Sequence, residues 1–433
     1  MAGALFASAL GRARQLGSVI HNSQDGSPLS EVLQRSEPEL TEVREQLRNT
    51  VGDFFAREVA PVCREIEQRA DPAARMPWDL IRAGSQLGLR TLALPEEWGG
   101  ISADAAIRAL LLAEMSQIEP GLAKCFYSCW RGSQFLYHLA TPAQREKFLR
   151  PFVEDDTFCF STAFTEPGAG SDNLIPSDDP NRGLTLAATR DEEEWVLNGQ
   201  KQWISLAGFS KCVLVFARTN REVPVHRGSS LFVVPADWPG VSFPRVSQKL
   251  GFRLYPVGEI LLDNVRLPSD HLLGGVDGAW GSLMPLIQEA VDYPATSLGI
   301  SKAMYAIALD YARDRFQGGR PIIEHPTIGT RLAEMRMNIH TMEAHIRDTL
   351  QAIDGPKPYD PERTWLCKVH CDRATVQVML GALEVTGGNG VMTEFPLERY
   401  CRDVLTSLHS DGTESLNLLR SARGMAEESR AAR

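Results

Sequence analysis

The chain has 433 residues, 43% of them hydrophobic, with 45 Lys and Arg against 55 Asp and Glu for a formal net charge of −10; this is enough apolar material for a large core in roughly two or three domains. The acidic balance, with no basic tract to offset it, excludes a nucleic-acid binder, because neutralising phosphates requires clustered Lys or Arg. No apolar run reaches the roughly eighteen residues a spanning helix needs, so integral membrane association is not expected.

Residues 1–36 form an N-terminal extension. Its first 24 residues hold Arg12 and Arg14, with Ser, Ala and Leu around them and no acid before Asp25, the composition of a transit peptide or of an amphipathic lead-in helix. The cytoplasm is the expected location, with the mitochondrial matrix as the alternative if this segment is a transit peptide. Eight cysteines, at 63, 125, 129, 159, 212, 367, 371 and 401, lack paired CxxC spacing and any disulfide-scaffold pattern, which suits a reducing compartment.

Residues 37–156 read as a helical domain, with Val43, Leu47, Val51, Phe54 and Phe55, then Ile107, Leu110, Leu111 and Met115, at helical spacing. From 157 to 268 the pattern changes to short β-rich runs, Cys212 to Ala217, Ser230 to Val234 and Glu259 to Leu262, punctuated by Gly, Pro and Asp. Within this β-domain, Asn198-Gly199 is expected to turn a hairpin, which would carry Trp203 and Ser205 on one face. Residues 269–433 read as a helical bundle of four long helices, 283–315, 327–353, 361–386 and 413–430. Cys367, His370 and Cys371 fall in the third of these, where 367 and 371 stack on one helix face and are expected to pack in the core rather than bind metal. No metal site is expected elsewhere.

The densest chemical signal is Ala163-Phe164-Thr165-Glu166-Pro167-Gly168-Ala169-Gly170-Ser171-Asp172. Pro and Gly allow tight or positive-φ backbone that approaches a planar ligand without Cβ interference, and Thr165 and Ser171 supply hydroxyls to ligand carbonyl or N–H groups. It reads as a ligand-holding loop. No Gly-x-Gly-x-x-Gly follows a strand, so a Rossmann-type nicotinamide site is not indicated.

This loop, followed by Lys201-Gln202-Trp203-Ile204-Ser205, Lys249-Leu250-Gly251, Gly387-Gly388-Asn389-Gly390 and Asp411-Gly412-Thr413, resembles in order the motifs of the acyl-CoA dehydrogenase family, from Leu40 to Gly424. The resemblance implies an α+β fold with an N-terminal helical domain, a central β-domain and a C-terminal four-helix bundle, FAD as cofactor, and a homo-oligomer, usually a tetramer. It assigns Thr165 and Ser171 to the flavin or substrate, Trp203 and Ser205 to the isoalloxazine, and Arg315 with Gly387 and Gly388 to the flavin of a neighbouring subunit. Thr413 joins the cofactor set and Gly412 the substrate set. An arginine suits the pyrophosphate because its hydrogen bonds there are charge-assisted.

The implied reaction is α,β-dehydrogenation of an acyl-CoA thioester, in which a carboxylate takes the α-proton and flavin N5 accepts the β-hydride. Electrons then pass to an electron-transfer flavoprotein. The family places the base on a Glu-Gly-Thr loop, where this chain has Asp411, or on the helix facing the substrate, where it has Glu289. Asp is one methylene shorter than Glu, so reach is at stake.

Other departures are Ala290 where many relatives carry arginine, Glu384 where many carry glutamine, and the inserted Asp178-Asp179-Pro180-Asn181-Arg182-Gly183. Asp-Gly in place of Glu-Gly-Thr, the longer loop and Gly318-Gly319-Arg320-Pro321-Ile322-Ile323-Glu324-His325 are features similar to nitroalkane oxidase, whose base removes a proton beside a nitro group. A third expectation is a catalytically silent relative that keeps the flavin fold for binding or assembly.

Overall fold

A computed structural model of the chain describes residues 29–175, 177–288, 291–355 and 359–431. Most of the N-terminal extension, including the segment read as a transit peptide, and Glu289 with Ala290 lie outside the described residues. The chain divides into two compact units. The first comprises the residues up to Leu111, Leu122–Gln248 and Leu254–Leu286; the second comprises Leu112–Gly121, Lys249–Arg253 and Ile287–Arg433.

The first unit opens with helix α1 (Leu29–Phe54), which passes through a π turn at Phe55–Val59 into α2 (Ala60–Gln68) and is followed by α3 (Trp78–Gln86). Leu47, Val51, Phe55 and Val59 are fully buried, so the apolar stripe read from the sequence is the packed face. Helices α4 (Ala105–Ser116) and α5 (Pro120–Leu139) follow. Gly132 on α5 lets that helix meet the sheet: a Cβ there would sit 2.4 Å from Phe160 Cβ, nearer than any real contact allows.

The sheet has eight strands: β1 (Phe160–Ala163), β2 (Ala187–Asp191), β3 (Glu194–Ser205), β4 (Cys212–Arg218), β5 (Ser229–Pro235), β6 (Val241–Ser242), β7 (Val257–Pro268) and β8 (Leu272–Leu273). Their order is β6-β7-β3-β2-β4-β5-β8, with β1 parallel to β4. Strand β4 is buried along its whole length, which its unbroken apolar run requires. The sheet core gathers Leu197, Val213, Val215, Phe232, Val234, Ile260 and Leu262.

Asn198-Gly199 does not turn the chain. Both residues lie inside β3, opposite a bulge where Leu197 pairs with Val265 but Gly199 pairs with Leu262. The local signal is absorbed by that bulge: Asn264 takes φ +51 and its N–H donates to Asn198 Oδ1 at 2.8 Å. Gly199 faces Leu186, where a Cβ would lie 2.9 Å from Cγ. The hairpin turns instead at Glu192-Glu193, between paired Asp191 and Glu194, with Glu192 left-handed at φ +53. Arg266 neutralises this acidic turn through Asp191 at 2.6 Å and Glu194 at 2.8 Å.

The second unit contains α7 (Asp292–Asp314), α8 (Pro326–Ile353), α9 (Glu362–Thr386), α10 (Leu397–Ser407) and α11 (Glu414–Ala431), while α6 (Ala279–Gln288) runs up to the border of the units. The helix expected over 283–315 is therefore two helices, and α10 is an additional short one. Ile300, Met304, Met335, Met342, Val378, Ala382, Leu397 and Val404 are buried. So are Cys367 and Cys371, as expected of core residues, whereas His370 Nε2 lies 3.3 Å from Thr341 Oγ1 on α8.

Two remote segments complete this unit. Gly299 on α7 admits Leu112–Gly121, since a Cβ would meet Ala113 O at 2.3 Å, and Arg399 bonds Glu119 at 2.6 Å. Lys249–Arg253 docks on α10: Gly251 N donates to Thr406 Oγ1 at 2.9 Å and Phe252 N to Asp403 Oδ1 at 2.5 Å. A Cβ on Gly251 would lie 2.4 Å from Arg402 O, which is why the Lys-Leu-Gly motif needs glycine. Among the described residues no helix is long and apolar enough to cross a membrane.

Candidate functional site

The loop after β1 is shaped by its own backbone. Glu166 N and Ala169 O bond at 2.8 Å and Ala169 N returns to Glu166 O at 3.2 Å, so Pro167-Gly168 is the tip of a tight turn. Neither Gly168 nor Gly170 has positive φ, so of the two uses expected of them the tight turn is the one seen, and Gly168 leaves open space where a Cβ would stand. Gly170 N donates to Asp172 Oδ1 at 2.7 Å, and Ser171, exposed, begins a one-turn 3-10 helix. Phe164 is anchored by Phe216 and Trp280, with ring centroids at 5.0 and 5.5 Å.

Beside this loop runs the end of β3. Gln202 N donates to Thr165 O at 3.0 Å, which ties the two motifs together one residue before Trp203. A bulge separates the pairs Lys201–Ile260 and Ile204–Gly258, and beside it Trp203 is exposed, Ile204 buried and Ser205 half-buried. Trp203 takes φ +59 and is 57% exposed. A bulky residue in the left-handed region costs about 1–2 kcal/mol, so this outward indole departs from the ordinary in both conformation and exposure. Leu206 is also left-handed, at φ +61, and Ser205 O accepts from Ser161 Oγ at 2.8 Å.

Underneath lies an ion pair that motif reading passed over. Lys201 Nζ stands 2.8 Å from Glu166 Oε1, with side-chain exposures of 0% and 2%. The lysine also donates to Phe164 O at 3.0 Å. Glu166 further accepts from Thr185 N and Oγ1, both at 2.6 Å, and from Leu186 N at 3.0 Å. Burial pushes the Glu166 carboxyl up, but the Lys201 charge and the hydrogen bonds outweigh it and hold it below its ordinary value. Burial drives Lys201 down to about 8 against the pull of Glu166. A signal was available: Trp195, Leu197 and Lys201 share the inward parity of β3, and a buried lysine demands a carboxylate.

The second unit holds the other expected residues. Arg315 is exposed at the C-terminal end of α7, where its carbonyl accepts from Ile322 N at 2.8 Å. It enters the hairpin β9 (Phe316–Gln317) to β10 (Arg320–Pro321), turned by Gly318 and Gly319, both at positive φ. Gly387 closes α9 at φ 56 and ψ −139, a region essentially reserved for glycine, and neither Gly387 nor Gly388 has anything within 4 Å of where a Cβ would be. Asn389 Nδ2 fixes this turn to Tyr311 Oη at 2.9 Å. Glu384 pairs with Arg331 at 2.7 Å, so its charge is already matched.

Between α10 and α11, Asp411 and Gly412 are consecutive left-handed residues, φ +49 and +93. Asp is among the few side chains that tolerate this, and Gly412 is held close to Leu416, whose Cδ2 would be 3.2 Å from an added Cβ. Thr413 caps α11: its Oγ1 accepts from Leu416 N at 3.3 Å. Glu414 in the first turn pairs with Arg373 at 2.6 Å, and that bond holds its carboxyl below the usual range. Asp411 is exposed, not enclosed as a desolvated base would be.

Comparison with known proteins gives this geometry a context. The family model described as "Acyl-CoA dehydrogenase, N-terminal domain" matches residues 41–156, the middle-domain model 161–265 and the C-terminal-domain model 284–426. The chain belongs to the acyl-CoA dehydrogenase family. It is similar to the Bacillus subtilis (strain 168) protein "Probable acyl-CoA dehydrogenase YngJ", 29% identical over 89% of this chain and 98% of that protein. The mitochondrial short-chain specific acyl-CoA dehydrogenase of Rattus norvegicus is 29% identical over 97% of each chain. Butyryl-CoA dehydrogenase from Megasphaera elsdenii shares the fold with a TM-score of 0.81 at 24% identity, covering 88% of this chain and 98% of its own.

Membership in the acyl-CoA dehydrogenase family makes the protein an FAD-dependent oxidoreductase acting on CH–CH groups. The described residues suit that cofactor: an outward indole beside an open glycine turn in one unit, and in the other a glycine turn with space where side chains would stand.

Proposed function

We propose that this acyl-CoA dehydrogenase family member catalyses α,β-dehydrogenation of an acyl-CoA thioester. The observation that carries the reading is the strained, outward Trp203 on its bulge beside Thr165; a fold tolerates such a residue where it serves a ligand. In this reading Thr165, Ser171, Trp203 and Ser205 hold the isoalloxazine, Thr413 contributes to the same cofactor, and Arg315, Gly387 and Gly388 serve the dinucleotide of a neighbouring subunit in a homotetramer. Residues 37–156, 157–268 and 269–433 are the helical, β and helical domains.

FAD when bound supplies the acceptor for the hydride leaving Cβ. Asp411 removes the α-proton, with Glu289 as the reserve base, while Ser171 and the backbone N–H of Gly412 orient and polarise the thioester carbonyl. Because Asp411 is exposed, the bound acyl chain itself must exclude the water that would otherwise keep the carboxylate weakly basic. Electrons leave to an electron-transfer flavoprotein.

The test is anaerobic mixing of the purified yellow enzyme with a panel of acyl-CoA esters and nitroalkanes while flavin absorbance is followed. Bleaching by an acyl-CoA ester is expected, and bleaching only by nitroalkanes would overturn the reading in favour of an oxidase with Asp411 as base. Turnover left unchanged by Asp411→Asn, Glu289→Gln and the double substitution would remove both proposed bases.

A further inference from the structure

The Glu166–Lys201 pair is more elaborate than stability alone calls for. Two charges taken out of water recover little net energy, and an apolar pair of similar volume often does as well. What an apolar pair lacks is direction. Lys201 Nζ bonds the loop after β1 at Phe164 O, 3.0 Å, and at Glu166 Oε1, 2.8 Å. The same carboxylate accepts from both N–H groups and the hydroxyl offered by Thr185 and Leu186 just before β2. Three chain segments are thereby pinned at one point. Thr165 lies between the two residues whose oxygens Lys201 holds, and Trp203 lies two residues beyond Lys201 on the strand that Gln202 N ties to Thr165 O.

A one-residue slip in register turns every side chain of a strand to the other face, so the side chain a bulge re-aims is held only as well as the contacts around the bulge fix it. Trp203 at φ +59 and Leu206 at φ +61 keep their strained conformations only because the surroundings over-determine them. We propose that Glu166 and Lys201 are positioning residues that hold the Trp203 bulge in the conformation that receives the flavin ring, so that their removal weakens FAD binding through Trp203 while the fold persists. The inference rests on the reading that Trp203 faces the flavin.

The test compares four FAD-loaded proteins: wild type, Glu166→Gln/Lys201→Met, which leaves no unpaired charge, Trp203→Ala, and the triple variant. Release of FAD on dilution is followed by the rise in free-flavin fluorescence, alongside the visible flavin spectrum and the melting temperature. The expected result is FAD affinity lower by about tenfold in the pair variant, within the coupling seen between residues of one network, with an altered flavin spectrum and a near-native melting temperature.

In the Trp203→Ala background the same pair substitution is expected to change nothing further. The inference is overturned if the pair variant keeps wild-type affinity and spectrum, or if it loses as much affinity without Trp203 as with it. If Trp203→Ala alone leaves FAD binding intact, the flavin-facing reading fails and the inference with it. Should the pair variant not fold, Thr185→Val, which deletes one hydroxyl donor to Glu166, takes its place. A smaller loss that again vanishes without Trp203 supports the inference, and an unchanged affinity overturns it.

Discussion

Replacing Trp203 with glycine and with alanine should give an order of stability opposite to that of an ordinary strand position. The indole is 57% exposed, and both substitutions discard the same buried remainder, so burial cancels in the comparison. What remains is backbone. A residue with a Cβ at φ +59 bears about 1–2 kcal/mol of strain that glycine escapes, while glycine's extra freedom in the unfolded chain costs about 0.5–1 kcal/mol relative to alanine.

The difference leaves Trp203→Gly more stable than Trp203→Ala by about 0.75 kcal/mol at the middle of the two ranges. Urea unfolding of the FAD-free proteins, read from the shift in midpoint at constant slope, measures it. Thr189→Gly and Thr189→Ala supply the control, because Thr189 is an exposed, regularly paired residue of β2 where alanine should win. If alanine is at least as stable as glycine at position 203, Trp203 is not strained and the case for a ligand-facing bulge collapses.

Asp411→Asn should slow flavin reduction by acyl-CoA at least about 100-fold, the usual worth of a general base, with FAD binding and stability close to wild type because the residue is exposed; stopped-flow rates within a few-fold of wild type would remove Asp411 as the base. Thr413→Ala deletes the N-cap bond to Leu416 N and should lower stability by about 1 kcal/mol, visible in urea midpoints. Asp155 offers a pH signature. Burial pushes its carboxyl up, but Lys211 and the N–H and O–H of Thr157 bring it from 3.8 down to about 2. The folded value lies below the unfolded one, so its contribution is complete above 3.8 and is lost as pH falls through about 2. Asp155→Asn should flatten that part of the acid-unfolding curve, by a modest amount that added salt reduces, since the side chain is one-third exposed.

What could be read directly was whatever a single segment determines. The unbroken apolar run of β4, the helical spacing of α8 and α9, the turn-prone Asp411-Gly412 pair and the glycines closing α9 all carry their conformation locally. What could not be read depends on partners distant in the chain. The fate of Asn198-Gly199 was decided by β7, whose Asn264 takes up the irregularity instead. The bulge at Trp203 is likewise a property of pairing with β7. Helix α10 is short and half polar, with Tyr400, Asp403 and Thr406 gaining their meaning only from residues 117–118 and 251–252. Glu166 and Lys201 lie inside the two motifs, yet their pairing depends on both side chains pointing inward from separate segments.

The assignment of Leu112–Gly121 and Lys249–Arg253 to the second unit bears on how the protein is made. Glu119 meets Arg399, 280 residues later in the chain. At a ribosomal pace of about 5–20 residues per second, the earlier partner in that contact waits tens of seconds for its neighbour to be synthesised. Cutting the gene at the boundary between β-sheet and bundle would therefore yield a C-terminal fragment lacking both remote segments of its own unit, Leu112–Gly121 and Lys249–Arg253, and co-expression of the two pieces, not either alone, is the way to recover the bundle.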